Sequence, residues 1–240
     1  MFLHGLFGQG KNWTTIAKGL SESARVTLVD LPNHGRSLWT DHFSYTEMSS
    51  QVAELLQTEG GGDKWAVVGH SMGGKAAMVL ALTEPDRVRR LIVADMAPVA
   101  YGHSQIGYVR AMQAVNLAMV GRRSDADAAL TAEVPDPALR AFLLQSLAFD
   151  GPRATWKLNL PALAEQMPRI MGFPNIDARF DRPTLFLTGA RSDYVRPAAW
   201  PRIRAHFPAA RHVELAGAGH WLHAEAPGRF VEAVEAFLET

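Results

Sequence analysis

The stretch VVGHSMGGKAAMVLAL, Val67 to Leu82, sets a serine among glycines where an apolar run gives way to a helical one. Glycine costs backbone entropy in strands and helices alike, so Gly69, Gly73 and Gly74 need a steric reason. The preceding Trp65-Ala66-Val67-Val68 is short, apolar and partly β-branched, the pattern of a buried parallel strand. The following Lys75 to Leu82 is rich in Ala, Met and Leu and reads as a helix that Pro85 stops.

Gly69-His70-Ser71-Met72-Gly73 therefore falls on a tight strand-to-helix turn, the context required of a G-x-S-x-G nucleophile elbow. The glycines leave room for a strained Ser71 and for close strand–helix packing. The turn lifts the Ser71 hydroxyl above the sheet. It also aims the Met72 N–H, at a helix start, toward an oxyanion formed at the serine. The competing reading is a glycine-rich turn whose serine only caps the helix.

Working outward, RVTLVDL (Arg25 to Leu31) reads as a strand and PNHGRS (Pro32 to Ser37) as a loop. A helix is expected over Thr46 to Gln57, with Ser44 or Thr46 at its cap and Gly60-Gly61-Gly62 breaking it. Val88 to Ala94 is the next strand and ends at Asp95. Alternating strands and helices imply a parallel sheet covered on both faces. From Tyr101 to Phe180 no strand is evident. Helices are expected over Tyr108 to Met119, Asp125 to Ala132, Pro137 to Ala148 and Leu160 to Met171. Strands return at Pro183 to Thr188 and His212 to Leu215, and Gly228 to Leu238 is the last helix. The reading is an α/β core over 1–98 and 181–240, with a helical cap inserted over 99–180.

An activated serine needs a base, and the base an orienting acid. Among nine histidines, His220 sits in LAGAGHWLH, on a loop just past the last strand, where a base can reach Ser71. His223 competes but is expected to open the final helix. His220, His223 and Glu225 lack the further ligand cluster that a metal site needs, so no metal is expected. HGLFG (His4 to Gly8) follows the first strand and can turn a second N–H toward Ser71. Leu6 is the expected donor and Phe7 the alternative, and their side chains would line an apolar acyl pocket. Cap residues Tyr101, Tyr108, Met112, Met119 and Trp156, with Trp221 beside His220, are the other pocket candidates. For the acid, Asp95 ends the strand beside the elbow strand. Asp193 follows the next strand, in Gly189-Ala190-Arg191-Ser192-Asp193. Geometry read from spacing leaves the two open.

HGLFG, DLPNHGRS, VVGHSMGGK, VADMAPV and AGAGHWLHAEAP occur in that order, and together they resemble the α/β-hydrolase-fold serine esterases, in particular the YbfF and ABHD11-like group. The resemblance implies esterase or thioesterase activity on short to medium acyl groups, without a cofactor, and the order nucleophile, acid, histidine. Many members place the acid three residues past the glycine that ends the strand after the cap. Here Ser192 holds that slot. In the resembled group an aspartate at the end of the strand after the elbow helix serves instead, which implies Asp95. Phe2-Leu3 reads as the end of a strand, and one or more strands of related chains are expected to be absent before it.

The chain has 240 residues, 48% hydrophobic and 20% charged, with zero formal net charge. That suits one sizeable core and favours neither nucleic acid nor an anionic membrane surface. It has no cysteine, so disulfides, a thiol nucleophile and thiolate metal sites are excluded. No basic-then-apolar leader precedes FLHGLFG and no apolar run approaches a membrane span, so a cytoplasmic chain is expected. The expected partner is a small-molecule ester, and the oligomeric state is left open. The alternatives are the same machinery acting on thioesters, amides or C–C bonds, and a ligand receptor on the same fold. A dehalogenase would normally carry aspartate at the elbow.

Overall fold

The computed structural model describes residues 1–60, 63–151 and 153–239. Among these, eight strands form: β1 (Phe2–Leu3), β2 (Leu28–Val29), β3 (Trp65–His70), β4 (Val88–Ala94), β5 (Leu147–Asp150), β6 (Arg153–Trp156), β7 (Thr184–Gly189) and β8 (Ala210–Leu215). Six of them make one parallel sheet in the order β2-β1-β3-β4-β7-β8.

Both faces of the central strands β1, β3, β4 and β7 are apolar, as strands covered on two sides must be. Leu3, Val67, Leu91, Val93 and Phe186 pack with the helices Tyr45–Gly60 and Met72–Thr83. The alternate residues Phe2, Val68, Ile92, Leu185 and Leu187 pack with Trp13 and with Phe230 and Val234 of the last helix, Pro227–Glu239. The helix Met72–Thr83 is buried from Met72 to Leu82, which explains why its sequence is apolar all round. It lies so close to the sheet that two glycines are obligatory. A Cβ on Gly69 would stand 2.2 Å from the Gly73 carbonyl oxygen, and one on Gly73 would stand 2.4 Å from that of Leu3.

Several expected elements differ. The strand over Arg25 to Leu31 shrinks to Leu28–Val29, because its neighbour β1 offers only two residues to pair with. Ser44 does cap the second helix, its hydroxyl accepting the Glu47 N–H at 3.3 Å. The helix runs on to Gly60, while Gly61 and Gly62 of the expected break lie outside the described residues.

The segment between β4 and β7 is not wholly helical. The helix expected to reach Ala148 ends at Leu143, and Leu147–Asp150 pairs antiparallel with Arg153–Trp156. Ala154 and Trp156 are buried while Arg153 and Thr155 are exposed, a period of two that a helical reading passes over. The helix expected over Leu160 to Met171 splits at Gln166, because Pro168 cannot donate within a continuous helix. His223 does not open the last helix; it lies in a short preceding one, Leu222–Glu225.

Since any Cβ at residue 73 meets backbone rather than a movable side chain, Gly73→Ala is expected to cost at least about 3 kcal/mol, the upper range of overpacking. Urea denaturation of the variant, read against the parent chain, checks this.

Candidate active site

The site lies at the carboxyl ends of the strands, where the loops after β1, β3, β4, β7 and β8 meet. Ser71 follows β3 with φ 52°, a left-handed backbone costly for a non-glycine residue. Its N–H donates to the Ala94 carbonyl at 3.2 Å, fixing the elbow to β4. Ser71 borders a cavity of about 180 Å³ that His220, Leu6, Phe7, Met72 and Trp221 also line.

Asp95 follows β4, is fully buried, and has φ 51°. Its Oδ2 accepts the His220 Nδ1–H at 2.7 Å and also the Ser192 hydroxyl, while Oδ1 accepts the Gly189 N–H at 3.3 Å. The Asp95 contact leaves Nε2 as the other His220 ring nitrogen. Asp193 is elsewhere: its side chain is 72% exposed and pairs with Arg196 at 2.5 Å, which holds its carboxyl below the usual range. Between the two candidate acids, the structure brings Asp95 to His220. The serine in the commoner acid position donates to that aspartate instead of replacing it.

The His220 loop is pinned from two sides. His70 Nε2–H donates to the His220 carbonyl at 2.8 Å. Glu225 Oε2 accepts the Gly219 N–H at 3.0 Å and pairs with Arg191 at 2.6 Å. His223 instead packs its ring on Trp13, with centroids 4.3 Å apart. His220, His223 and Glu225 therefore do not converge on one point.

The Met72 N–H opens the helix, and among the described residues neither it nor the Leu6 N–H has an acceptor. Both residues border the cavity. Phe7 does not supply the alternative donor, because its N–H already goes to His34 Nε2 at 3.3 Å. Two buried imidazoles hold this loop. His34 donates through Nδ1 to the Pro32 carbonyl at 2.8 Å. His4 donates through Nδ1 to the Gly5 carbonyl at 2.8 Å and accepts the Leu31 N–H on Nε2 at 3.0 Å. Each must be neutral to accept, and burial pushes His4 down to about 4 and His34 to about 3.

Of the expected pocket residues, Phe7, Tyr101, Tyr108 and Trp221 border the cavity. Met112, Met119 and Trp156 do not. Met112 is fully buried one turn past Tyr108, and its carbonyl accepts the Trp156 indole N–H at 3.1 Å. Trp156 borders a separate groove beside Trp39, and Met119 is 77% exposed. An apolar residue in an insertion can face the cavity, the insertion's own core or solvent, and its type does not distinguish them.

No sequence motif marks Lys75 as a site residue. It is 2% exposed, one helical turn beyond Ser71, and borders the cavity. Its Nζ donates to the carbonyls of Ile170, Met171 and Gly172 at 3.3, 2.8 and 2.7 Å. It thereby caps the helix Met167–Met171. Tyr101 and Tyr45 turn ring faces to the ammonium at 4.8 and 5.8 Å. Burial still pushes Lys75 down to about 7. A lone cation in an otherwise apolar helix is the available signal, but its carbonyl partners lie 95 or more residues away.

Residues 1–233 match the model of the alpha/beta hydrolase family. The chain is 42% identical over 246 residues to the sn-1-specific diacylglycerol lipase ABHD11 of Mus musculus, covering 99% of this chain and 80% of that one. It is 36% identical over 241 residues to the esterase YbfF of Escherichia coli strain K12, covering 99% and 92%. The solved structure of a marine microorganism esterase superposes with a TM-score of 0.94 at 35% identity, over 98% and 93% of the two chains.

Burial also pushes His223 to about 3 and His70 well below its ordinary value, so four histidines fold neutral. The unfolded chain takes up their protons once pH falls below about 6.5, while the folded chain resists until near 4. The histidines' contribution should therefore be full above about pH 6.5 and fall on acidification, by up to about 1.4 kcal/mol per pH unit for each histidine. Urea midpoints between pH 7.5 and 4.5 check this, and His223→Phe should flatten the slope by one proton. Lys75→Met strands three carbonyls at once and is expected to cost about 2–4 kcal/mol in the same assay at pH 7.

Matched over most of its length by the family model, the chain belongs to the alpha/beta hydrolase family, and within it groups with carboxylic ester hydrolases.

Proposed function

We propose that the chain is a serine carboxylesterase that hydrolyses short- to medium-chain esters through a Ser71–His220–Asp95 triad and an acyl-enzyme. The carrying observation is the 2.7 Å contact between His220 Nδ1 and a fully buried Asp95, with Ser71 and His220 on one cavity. Residues 99–180 act as the cap and the remainder as the hydrolase core.

In this reading Ser71 Oγ attacks the ester carbonyl and His220 Nε2 takes its proton. Asp95 holds the ring in the tautomer that leaves Nε2 free, and stabilises the imidazolium. The Leu6 and Met72 N–H groups receive the oxyanion, helped by the positive end of the helix Met72–Thr83. Collapse of the adduct breaks the C–O bond, and His220 returns the proton to the departing alcohol. Water then attacks the acyl–Ser71 ester by the same route and the acid leaves. No cofactor is required by these steps.

The cavity, at about 180 Å³, is smaller than the roughly 300–1,000 Å³ typical of drug-sized ligand sites. Its apolar lining of Leu6, Phe7, Met96, Leu139, Phe142 and Ile170 suits an alkyl chain, and this size favours a short one. Among the described residues no helix is long and apolar enough to cross a membrane, and the substrate is taken to be a small molecule. Relatives named lipase and esterase support ester chemistry, and acyl-CoA substrates assayed beside carboxylic esters test the thioester alternative.

Ser71→Ala should lower kcat on a chromogenic acetate ester by about 10⁴ or more with melting unchanged. Asp95→Asn should lose about 10² to 10⁴, since the amide can hold the wrong tautomer, and Asp193→Asn less than about tenfold. Ester turnover in Ser71→Ala above about a tenth of the parent rate would overturn the reading, and so would a larger loss at Asp193 than at Asp95.

A further inference from the structure

Tyr194 has no part in the steps above, yet it is the aromatic ring nearest His220. The two rings are stacked, with centroids 3.7 Å apart and planes 12° from parallel. His70 lies 4.7 Å from the same imidazole at 43° and Trp221 5.7 Å away at 64°, neither in a stacked geometry. Burial keeps His70 neutral, so the charged neighbour in contact with the His220 ring is Asp95.

Tyr194 is also unusually well fixed. Its N–H donates to the Ser192 hydroxyl at 3.3 Å, and that hydroxyl donates on to Asp95. Its carbonyl accepts the Tyr101 hydroxyl at 2.9 Å, which itself accepts the Ala97 N–H at 2.9 Å. Its phenol oxygen accepts a Gln105 Nε2–H at 3.1 Å and lies 3.0 Å from His103 Nε2. The ring is thus held from the acid's side and from the start of the inserted segment.

An aromatic face carries negative quadrupole charge and attracts a cation within about 6 Å, more strongly when water is excluded. A neutral imidazole gains much less. The difference is realised only when His220 holds the serine's proton, which is when stabilisation accelerates the step. Asp95 meets the ring at its edge and Tyr194 at its face, so the two do not compete.

We propose that Tyr194 is a positioning residue for the reaction, whose ring face stabilises the His220 imidazolium while its backbone tethers to Ser192 and Tyr101 hold that face in place. The proposal rests on the Ser71–His220 reading above.

Acetate ester hydrolysis by the full chain, followed as a pH profile, tests it with Tyr194→Leu and Tyr194→Phe. Tyr194→Leu should lower kcat about tenfold with KM within about threefold. The acid limb of kcat/KM should also move to lower pH by half a unit or more, because protonating the ring has lost its favourable face. Tyr194→Phe keeps the face and should stay within about threefold, with the limb in place. If the leucine variant does not fold, pentafluorophenylalanine at 194 preserves the ring's shape but reverses its quadrupole, and it should reproduce both effects. An unmoved acid limb in the leucine or pentafluoro protein, or an equal loss in Tyr194→Phe, would overturn the proposal. Ser71→Ala separates the two claims. Turnover surviving there removes the triad reading, whereas turnover abolished there beside an unmoved Tyr194→Leu profile removes only this inference.

Discussion

The contact on which the site depends is backbone against backbone: the helix Met72–Thr83 laid so close to β3 and β1 that Gly69 and Gly73 have no room for a Cβ. That approach forces the chain through φ 52° at Ser71. The strain is tolerated because Ser71 is tied on both sides, its N–H to Ala94 and its carbonyl to the Lys75 N–H at 3.0 Å. The same geometry puts a serine hydroxyl and a helix N-terminus at one point. Asp95 and Phe7, after the neighbouring strands, also have positive φ, so three loops that meet at the cavity are strained alike.

Around that point the polar groups divide by dielectric. His4, His34, His70 and His223 are buried where charge is costly; His4 and His34 each accept a backbone N–H, which requires the neutral form, and His70 donates to the His220 carbonyl. Asp95 is as deeply buried, but it gathers donors from Ser192, Gly189 and His220. Such donors are what a buried carboxylate needs. The scaffold histidines thus hold loops, while His220 faces the carboxylate.

Lys75 joins the two halves of the molecule. Its three protons go to the end of the helix Met167–Met171, so the wall of the cavity that carries Ile170 and Met171 is attached to the helix that carries Ser71. Tyr101 contributes to this attachment and to the Tyr194 tether at once. The segment between β4 and β7 and the helix that follows Ser71 are therefore joined through packed, hydrogen-bonded side chains and not merely adjacent.

What the sequence determined by itself is the part carried by local pattern. The elbow was legible because strand, glycines, serine and helix follow one another within 16 residues, and steric crowding acts over that span. The fold class followed from alternating strands and helices, and His220 from a loop after the last strand. Tertiary structure alone decided what depends on distant partners. That Asp95 rather than Asp193 contacts His220 turns on which strand end faces it, 125 residues away from Asp95. Met112, Met119 and Trp156 fell outside the cavity, and Leu147–Asp150 became a strand, because an insertion's orientation is set by packing and not by its apolar residues. Lys75 and Tyr194 gained their places the same way. A buried cation and a stacked ring are each defined by the atoms around them, and those atoms come from other parts of the chain.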